Sequence, residues 1–223
     1  MAIVSVIRKF KDIGITGSFT TRRYNKNTRD ARLGEMREYA KEVTRHIKED
    51  AFVLEVAPGP GYMSIELAKM GNFNITGIDI SPDFIKICKA NAESENVNVS
   101  FLEGNVSAMP FDANTFDFVF CSAAFKNFKE PVVALQEMYR VLKAGGIGLI
   151  VDMRRDVTKQ GLAEEVEKIT KPGFERFWVK YTFKNLAKYA YLKDEFIEMI
   201  KQTSFTKYEI KESGIGFYIY LYK

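Results

Sequence analysis

Cysteine is scarce in this sequence: of 223 residues only Cys88 and Cys121 are cysteines, and no CxxC pair occurs. The count excludes a disulfide framework and the spacing excludes a cysteine zinc site, so we expect no metal. Both cysteines lie among apolar residues, as in proteins of a reducing cytoplasm. The only histidine, His46, falls in the last turn of a predicted helix, where we expect it to cap the helix or face solvent.

Long apolar runs are also missing. No uninterrupted apolar stretch approaches the ~20 residues of a membrane-spanning helix, and residues 1–10 lack the small-residue cleavage site of a signal peptide. The net charge is only +4, so composition alone indicates no nucleic-acid partner. Residues 1–30 hold seven Lys or Arg against two acids, which we interpret as a solvated arm rather than a phosphate-tracking one. We therefore expect a cytoplasmic protein with no membrane partner.

The most informative stretch, residues 52–62, reads Phe-Val-Leu-Glu-Val-Ala-Pro-Gly-Pro-Gly-Tyr. Its apolar start predicts a buried strand, and the residues after the glycines have helical spacing. Glycine lets the backbone bend tightly, and it lets a ligand lie on bare main chain beside the free N–H groups of a helix start. The order of strand, glycine turn and helix predicts a nucleotide-binding corner.

Five apolar strand-like segments alternate with helical segments. They are residues 52–57, 73–80, 97–102, 116–121 and 147–153, with helices at 31–48, 61–70, 82–94 and 131–142. Such alternation predicts a parallel sheet covered on both faces. The alternating end of the chain, Phe217 to Tyr222, predicts an antiparallel hairpin. We therefore predict an α/β fold: a Rossmann-like, doubly wound, mostly parallel seven-stranded sheet with a C-terminal antiparallel hairpin, an N-terminal helix and a helical cap insertion.

Two ligand types compete for the corner. A dinucleotide fingerprint needs G-x-G-x-x-G, but the third position is Ser64 and two prolines remove N–H donors from the turn. A P-loop is excluded because no Gly-Lys-Ser/Thr follows. A ligand with a ribose but no phosphate fits better, because Asp79 ends the second strand eighteen residues after Gly61. Its carboxylate can accept two hydrogen bonds from a ribose diol, or it merely assists the helix that starts after Ser81.

These residues resemble the class I S-adenosylmethionine-dependent methyltransferases of the broad small-molecule type. The similar motifs are residues 53–61, 77–81, 105–111 with 116–121, and 140–146. Four motifs in the right order are specific for the fold and the cofactor and say little about the methyl acceptor. The resemblance implies a single methyltransferase domain over residues 1–223. Its parts are an N-terminal helical or lid segment (1–50), a cofactor-binding core (51–153), a helical cap insertion (154–204) and a terminal hairpin (205–223).

The resemblance also implies S-adenosylmethionine as cofactor and S-adenosylhomocysteine as product. The implied cofactor-binding residues are Glu55, Ala57, Pro58, Gly59, Gly61, Asp79, Ile80, Asn105, Val106, Cys121 and Ser122. Glu55 would help hold the ammonium group, or else is satisfied by neighbouring N–H groups. Asp79 would hold the ribose hydroxyls, with Ile80 on the adenine face. Asn105 stands where the family often has aspartate, and an amide can still accept from the adenine amine.

One departure from the family concerns the base. Many relatives carry histidine or tryptophan shortly after the fourth strand, whereas residues 122–128 read Ser-Ala-Ala-Phe-Lys-Asn-Phe. Methyl transfer is an in-line displacement on an activated sulfonium, so alignment and desolvation can supply most of the acceleration, with effective molarities up to ~10⁸ M. A base is needed only for an acceptor that loses its proton early. The catalytic candidates are Tyr24, placed in a loop over the cofactor, Ser122 and Lys126.

The acceptor is the least defined partner. Phe125, Phe128, Trp178, Tyr181 and Phe183 either form an aromatic cap over a planar acceptor or pack as core. Three cations could neutralise an anionic acceptor: Lys126, Arg154 and Arg155. No Asn-Pro-Pro-Tyr-type motif follows the fourth strand, which argues against nucleic acid as a partner. We expect a small-molecule methyl acceptor, and a homodimer remains open. The competing functions are a catalytically silent S-adenosylmethionine-binding regulatory subunit and a nicotinamide oxidoreductase.

Overall fold

The computed structural model describes residues 17–170 and 173–223. Along the chain the elements are α1 (Ser18–Thr44), β1 (Phe52–Val56), α2 (Tyr62–Ala68), β2 (Asn74–Asp79), α3 (Pro82–Ser94), β3 (Ser100–Glu103), β4 (Phe116–Ser122), α4 (Pro131–Val141), β5 (Leu142–Met153), α5 (Lys159–Ile169), α6 (Phe174–Ala187), α7 (Lys193–Ile200), β6 (Lys207–Ser213) and β7 (Gly216–Tyr222). Most of the basic arm predicted at residues 1–30 falls either outside the described residues or within α1.

One sheet of seven strands organises the molecule, in the order β3-β2-β1-β4-β5-β7-β6. The first five strands are parallel, and β7 runs antiparallel to both β5 and β6. Within β1, Val53 and Leu54 point to opposite faces and both are fully buried. Helices α1 to α3 cover the face of Val53, while α4 and α7 cover the face of Leu54. This confirms the predicted fold class.

Helix α1 is the main correction to the sequence-based prediction. We expected a helix at residues 31–48 after a turn-rich loop, but α1 runs from Ser18 to Thr44. The polar stretch 22–28 is helical because one side of it packs on the protein. Thr28 is buried, and the ring of Tyr24 packs edge-on against that of Phe84, with centroids 5.6 Å apart. Tertiary contacts of this kind override weak local propensity. Tyr24 therefore lies on a helix and not in a loop.

The two ends of the predicted helical insertion meet at the carboxyl end of β5. The N–H of Arg155, just after β5, donates to the carbonyl of Tyr191 at 3.2 Å. Helices α5 and α6 lie between these residues, and α7 follows. The two interpretations of the aromatic residues divide between them: Phe125 and Phe128 pack as core, whereas Trp178 and Tyr181 are 51% and 54% exposed.

No helix within residues 17–170 and 173–223 has the length and apolar content to cross a membrane.

Candidate active site

A cavity opens at the carboxyl ends of β1, β2 and β4, beneath α1. Residues Ala57 to Pro60, Asp79 with Ile80, and Ser122 to Ala124 supply its floor. Four side chains of α1 supply its roof, at a spacing of four residues: Tyr24, Thr28, Arg32 and Met36. Residues four apart lie on one face of a helix, so a single stripe of α1 covers the cavity. Phe84, Asn127 and Phe128 close the sides.

The glycine turn after β1 needs backbone conformations that side chains oppose. Gly61 has φ +80°, and a Cβ there would lie 2.9 Å from a ring carbon of Phe101 and 3.1 Å from the sulfur of Cys88. Gly59 has φ +55° with room beside it. Ala57 and Ala123 also have positive φ, and both line the cavity at the ends of adjacent strands. Strained backbone at such a place is typical of a ligand site.

Asp79 joins the turn to the second strand. Its carboxylate accepts hydrogen bonds from the N–H of Gly59 at 3.1 Å and of Ser81 at 2.9 Å, and it lines the cavity. Burial raises the pKa of Asp79, while backbone N–H donors oppose that shift. Ile80 beside it is partly exposed toward the cavity. The structure thus brings Asp79 and Ile80 together with the turn.

Glu55 lies behind the turn and does not line the cavity. The N–H of Ser64 donates to its carboxylate at 3.1 Å, and the Ser64 hydroxyl donates to the same oxygen. This is the second interpretation of Glu55, a strand carboxylate satisfied by neighbouring donors. Burial raises the pKa of Glu55 to about 7, against the opposing effect of the Ser64 hydrogen bonds.

The raised pKa of Glu55 leads to a prediction about stability. Because the pKa in the fold exceeds the ordinary value of 4.5, the stabilising contribution is complete below about pH 4.5 and is lost as pH rises through 7. Between pH 4.5 and 8 the wild type should lose roughly 3 kcal/mol of unfolding free energy through this group. Glu55→Gln has no such titration and should not show this loss. Urea unfolding at several pH values measures the difference.

Glu66→Gln is the matched control for this experiment. Glu66 is also buried, but its pKa is lowered: burial opposes the shift, and hydrogen bonds from Lys69 and Arg37 outweigh it. Its titration therefore affects stability below pH 4.5, not above it. An unchanged pH slope in Glu55→Gln between pH 4.5 and 8 would contradict the assignment.

Asn105 and Val106, the residues predicted to lie beside the adenine, do not line the cavity. The Asn105 side chain accepts a hydrogen bond from the N–H of Ser107 at 2.8 Å, which caps the short 3-10 turn Val106–Ala108. Val106 is buried in the core. Neither residue lines the cavity, and the same holds for Gly61 behind the turn.

At the end of β4 only Ser122 of the predicted residues faces the cavity. Cys121 is fully buried in the core, and this burial raises its pKa well above the ordinary range. The Lys126 ammonium is also buried and donates to Asp152 at 2.9 Å and to the carbonyl of Ala123. Because it is engaged in these contacts, Lys126 is not placed to act on an acceptor, which corrects its role as a catalytic candidate.

The two predicted arginines lie outside the cavity as well. Arg154 pairs with Asp156 and Glu212, and Arg155 pairs with Glu195. These pairs hold the start of the helical insertion against β6 and α7. Neither arginine faces the floor formed by the strand ends.

Arg32 is the functional candidate that sequence reasoning missed. Among the described residues that line the cavity it is the one cation, as Asp79 is the one acid. Burial alone would lower the pKa of Arg32, but the charge and hydrogen bond of Glu35 raise it overall, so the guanidinium is charged. In the sequence, Arg32 could have been found only by its spacing: it lies eight residues after Tyr24, and residues eight apart share one face of a helix.

The sheet order, the glycine turn after β1 and the carboxylate after β2 define a class of protein, the class I S-adenosylmethionine-dependent methyltransferases. Residues 54–150 match the model of the family described as a methyltransferase domain, so this part of the chain is a domain of that family.

Several relatives support this classification. Demethylmenaquinone methyltransferase of Chlorobaculum tepidum is 30% identical over 164 residues, which is 73% of this chain and 64% of that protein. The Staphylococcus haemolyticus enzyme of the same name is 27% identical over 177 residues, covering 74% of this chain and 73% of the relative. The chain thus spans a little under two thirds of the first curated relative's length.

A solved structure shares the fold. It is a protein of Methanococcus maripaludis assigned as an S-adenosyl-L-methionine-dependent methyltransferase, with a TM-score of 0.72 and 21% identity, covering 94% of this chain and 97% of that one.

Proposed function

We propose that this protein transfers a methyl group from S-adenosylmethionine to a small planar acceptor, a ring carbon of a quinol. The observation that carries the proposal is one cavity that combines the Asp79 carboxylate, the bare backbone of Gly59 and an apolar end at Ala123 and Ala124. The names of the relatives support the acceptor class, since they include demethylmenaquinone methyltransferases and a ubiquinone/menaquinone biosynthesis C-methyltransferase of Wigglesworthia glossinidia.

The residues present fit the cofactor in chemical type. Asp79 is a carboxylate for the ribose hydroxyls, and Ile80 offers an apolar surface for the adenine. The Nε–H of Arg32 donates to Glu35 at 2.6 Å, and its terminal N–H groups remain to bind the carboxylate of the methionine portion. S-adenosylmethionine, when bound, supplies an activated methyl group: the acceptor atom bonds to the methyl carbon while the carbon–sulfur bond breaks and its electron pair stays on sulfur.

The chain's own contribution is to align and to exclude water. Tyr24 and Met36 of α1 cover the cavity from above, and Phe128 closes its side. We propose that α1 is the lid of the site. No lysine or histidine among the described cavity residues can take a proton, so the acceptor should carry its own activation, as an ionised phenol does for the ring carbon beside it. The ring proton is lost to solvent once the methylated product leaves the covered cavity, and the electron pair of that C–H bond restores the aromatic ring.

Turnover and binding test the function together. Calorimetry with S-adenosylhomocysteine should show binding, and methyl-labelled S-adenosylmethionine should label a demethylated quinol but not simple amines or thiols. If the protein binds neither S-adenosylhomocysteine nor S-adenosylmethionine, the proposal is wrong. Binding without any methylated product across a broad panel would instead favour the silent regulatory subunit.

Arg32→Met is predicted to weaken S-adenosylhomocysteine binding by about tenfold, since a hydrogen bond to a charged group contributes about 1.5–3 kcal/mol. Arg29→Met is the matched control on the same helix, because Arg29 is 59% exposed and pairs with Asp30. Calorimetry on both variants measures the difference. Equal affinities for the two variants would remove Arg32 from the site.

A further inference from the structure

Helix α6 and the turn after it expose most of the large apolar surface of the described chain. Five of the eight exposed large apolar side chains belong to this segment: Phe177, Trp178, Tyr181, Leu186 and Tyr189. Phe177 is 65% exposed. Within α6, Phe177, Trp178 and Tyr181 fall within about a third of the helix circumference. Their rings are neighbours, with centroids 6.4 Å and 6.0 Å apart along this series. A contiguous apolar patch of this kind marks an interaction surface.

The same segment is strongly basic. Residues 174–190 contain four Lys or Arg against one Glu, and Arg176 among them pairs with Glu167 of α5. Lys180 and Lys184 have no acidic partner among residues 17–170 and 173–223. These two lysines lie on the side of α6 that borders the aromatic side chains. The surface therefore pairs exposed rings with unneutralised positive charge.

A groove of about 490 Å³ between α5 and α6 extends the positive charge. Its floor is apolar, formed by Val157, Leu162 and Ala187. Its rim carries five cations: Arg155, Lys159, Lys180, Lys184 and Lys188. Charge and shape here suit groups that combine an anionic head with an apolar tail.

Contrary to the expectation of no membrane partner, we propose that the exposed face of α6, with the adjoining groove, docks the protein onto the surface of an anionic lipid bilayer. Tyr and Trp rings settle at the level of lipid headgroups, and lysines beside them contact the acidic headgroups. Charge complementarity favours a bilayer over a protein partner, because the cations flank a protruding helix whose rings point outward. The helix lies in the surface and does not cross it.

The position of α6 in the fold gives this docking a consequence. The insertion that carries α6 starts and ends at the carboxyl end of β5, where Arg155 bonds Tyr191. The parallel strands β1, β2 and β4 end at the same edge of the sheet, at the cavity. Docking through α6 therefore brings the cavity edge of the sheet to the bilayer side. The docking itself depends on neither the cofactor nor the acceptor.

The only tryptophan of the sequence, Trp178, reports on this face. The full chain is titrated with phosphatidylcholine vesicles containing about one third phosphatidylglycerol, and with pure phosphatidylcholine vesicles, without cofactor or acceptor. We expect a blue shift of the emission with anionic vesicles only, weakened by salt. The double variant Lys180→Gln/Lys184→Gln should bind about thirtyfold more weakly.

Lys86→Gln/Lys89→Gln is the control, with the same loss of charge on the exposed side of α3. Its vesicle affinity should match that of the wild type, and circular dichroism and S-adenosylhomocysteine binding should be unchanged in both double variants. Equal binding to neutral vesicles, equal losses in both variants, or sedimentation with vesicles without a shift of Trp178 would each overturn the proposal. So would a blue shift that appears with protein concentration alone, accompanied by a dimer mass, because a second copy would then cover the face.

Discussion

Asp152→Ala is expected to lower the free energy of unfolding by about 3–5 kcal/mol, the cost of leaving a buried charge without its partner. The side chains of Lys126 and Asp152 are 5% and 1% exposed. The carboxylate accepts from the Lys126 ammonium at 2.9 Å, from the Lys126 N–H at 2.9 Å and from the Met153 N–H at 2.7 Å. Alanine removes all three hydrogen bonds and leaves the buried Lys126 ammonium without its carboxylate partner, bonded only to the Ala123 carbonyl. Urea unfolding measures the loss.

Asp156→Ala is the matched control, since Asp156 pairs with Arg154 at the surface and is half exposed. Its cost should stay within about 1 kcal/mol, as for other exposed ion pairs. The double variant Asp152→Leu/Lys126→Met should recover much of the stability, because it removes both charges at once. A cost for Asp152→Ala equal to that for Asp156→Ala would show that the ion pair contributes little.

The strands and the glycine turn were predictable because burial on both faces leaves a local record. Val53, Leu54 and Val56 form an apolar run for this reason, and the sheet confirms it. Gly61 was predictable from the motif, and its surroundings explain the requirement, since Phe101 and Cys88 occupy the space of a side chain. Element bounds were less accurate: β3 and β5 begin at Ser100 and Leu142 rather than at 97 and 147.

The helical form of the segment over the cavity and the buried ion pair were not predictable, for a physical reason. The stripe of α1 mixes Tyr24, Thr28, Arg32 and Met36 because it faces a cavity, so no apolar periodicity marks the helix there. Lys126 and Asp152 are twenty-six positions apart, and only the pairing of β4 with β5 brings them together. Apolar periodicity in the sequence indicates which face of a segment packs on the core. It does not indicate which polar side chains meet each other.

Asp79→Ala is expected to weaken S-adenosylhomocysteine binding by at least about 100-fold. Two hydrogen bonds from a ribose diol to a carboxylate contribute about 1.5–3 kcal/mol each, and alanine removes both. The same carboxylate accepts from the N–H of Gly59 at 3.1 Å, so its loss also loosens the glycine turn that lines the cavity. Calorimetry at neutral pH measures the affinity. The melting temperature without ligand reports separately on the fold.

Ser81→Ala separates the two roles of this corner. Ser81 lies two residues further along, where its hydroxyl caps α3 by accepting from the Phe84 N–H, and it does not line the cavity. Its replacement should cost about 1 kcal/mol of stability and leave the affinity nearly unchanged. If Asp79→Ala instead lowers only the melting temperature and binds S-adenosylhomocysteine as the wild type does, then Asp79 serves the turn and the ribose is held elsewhere.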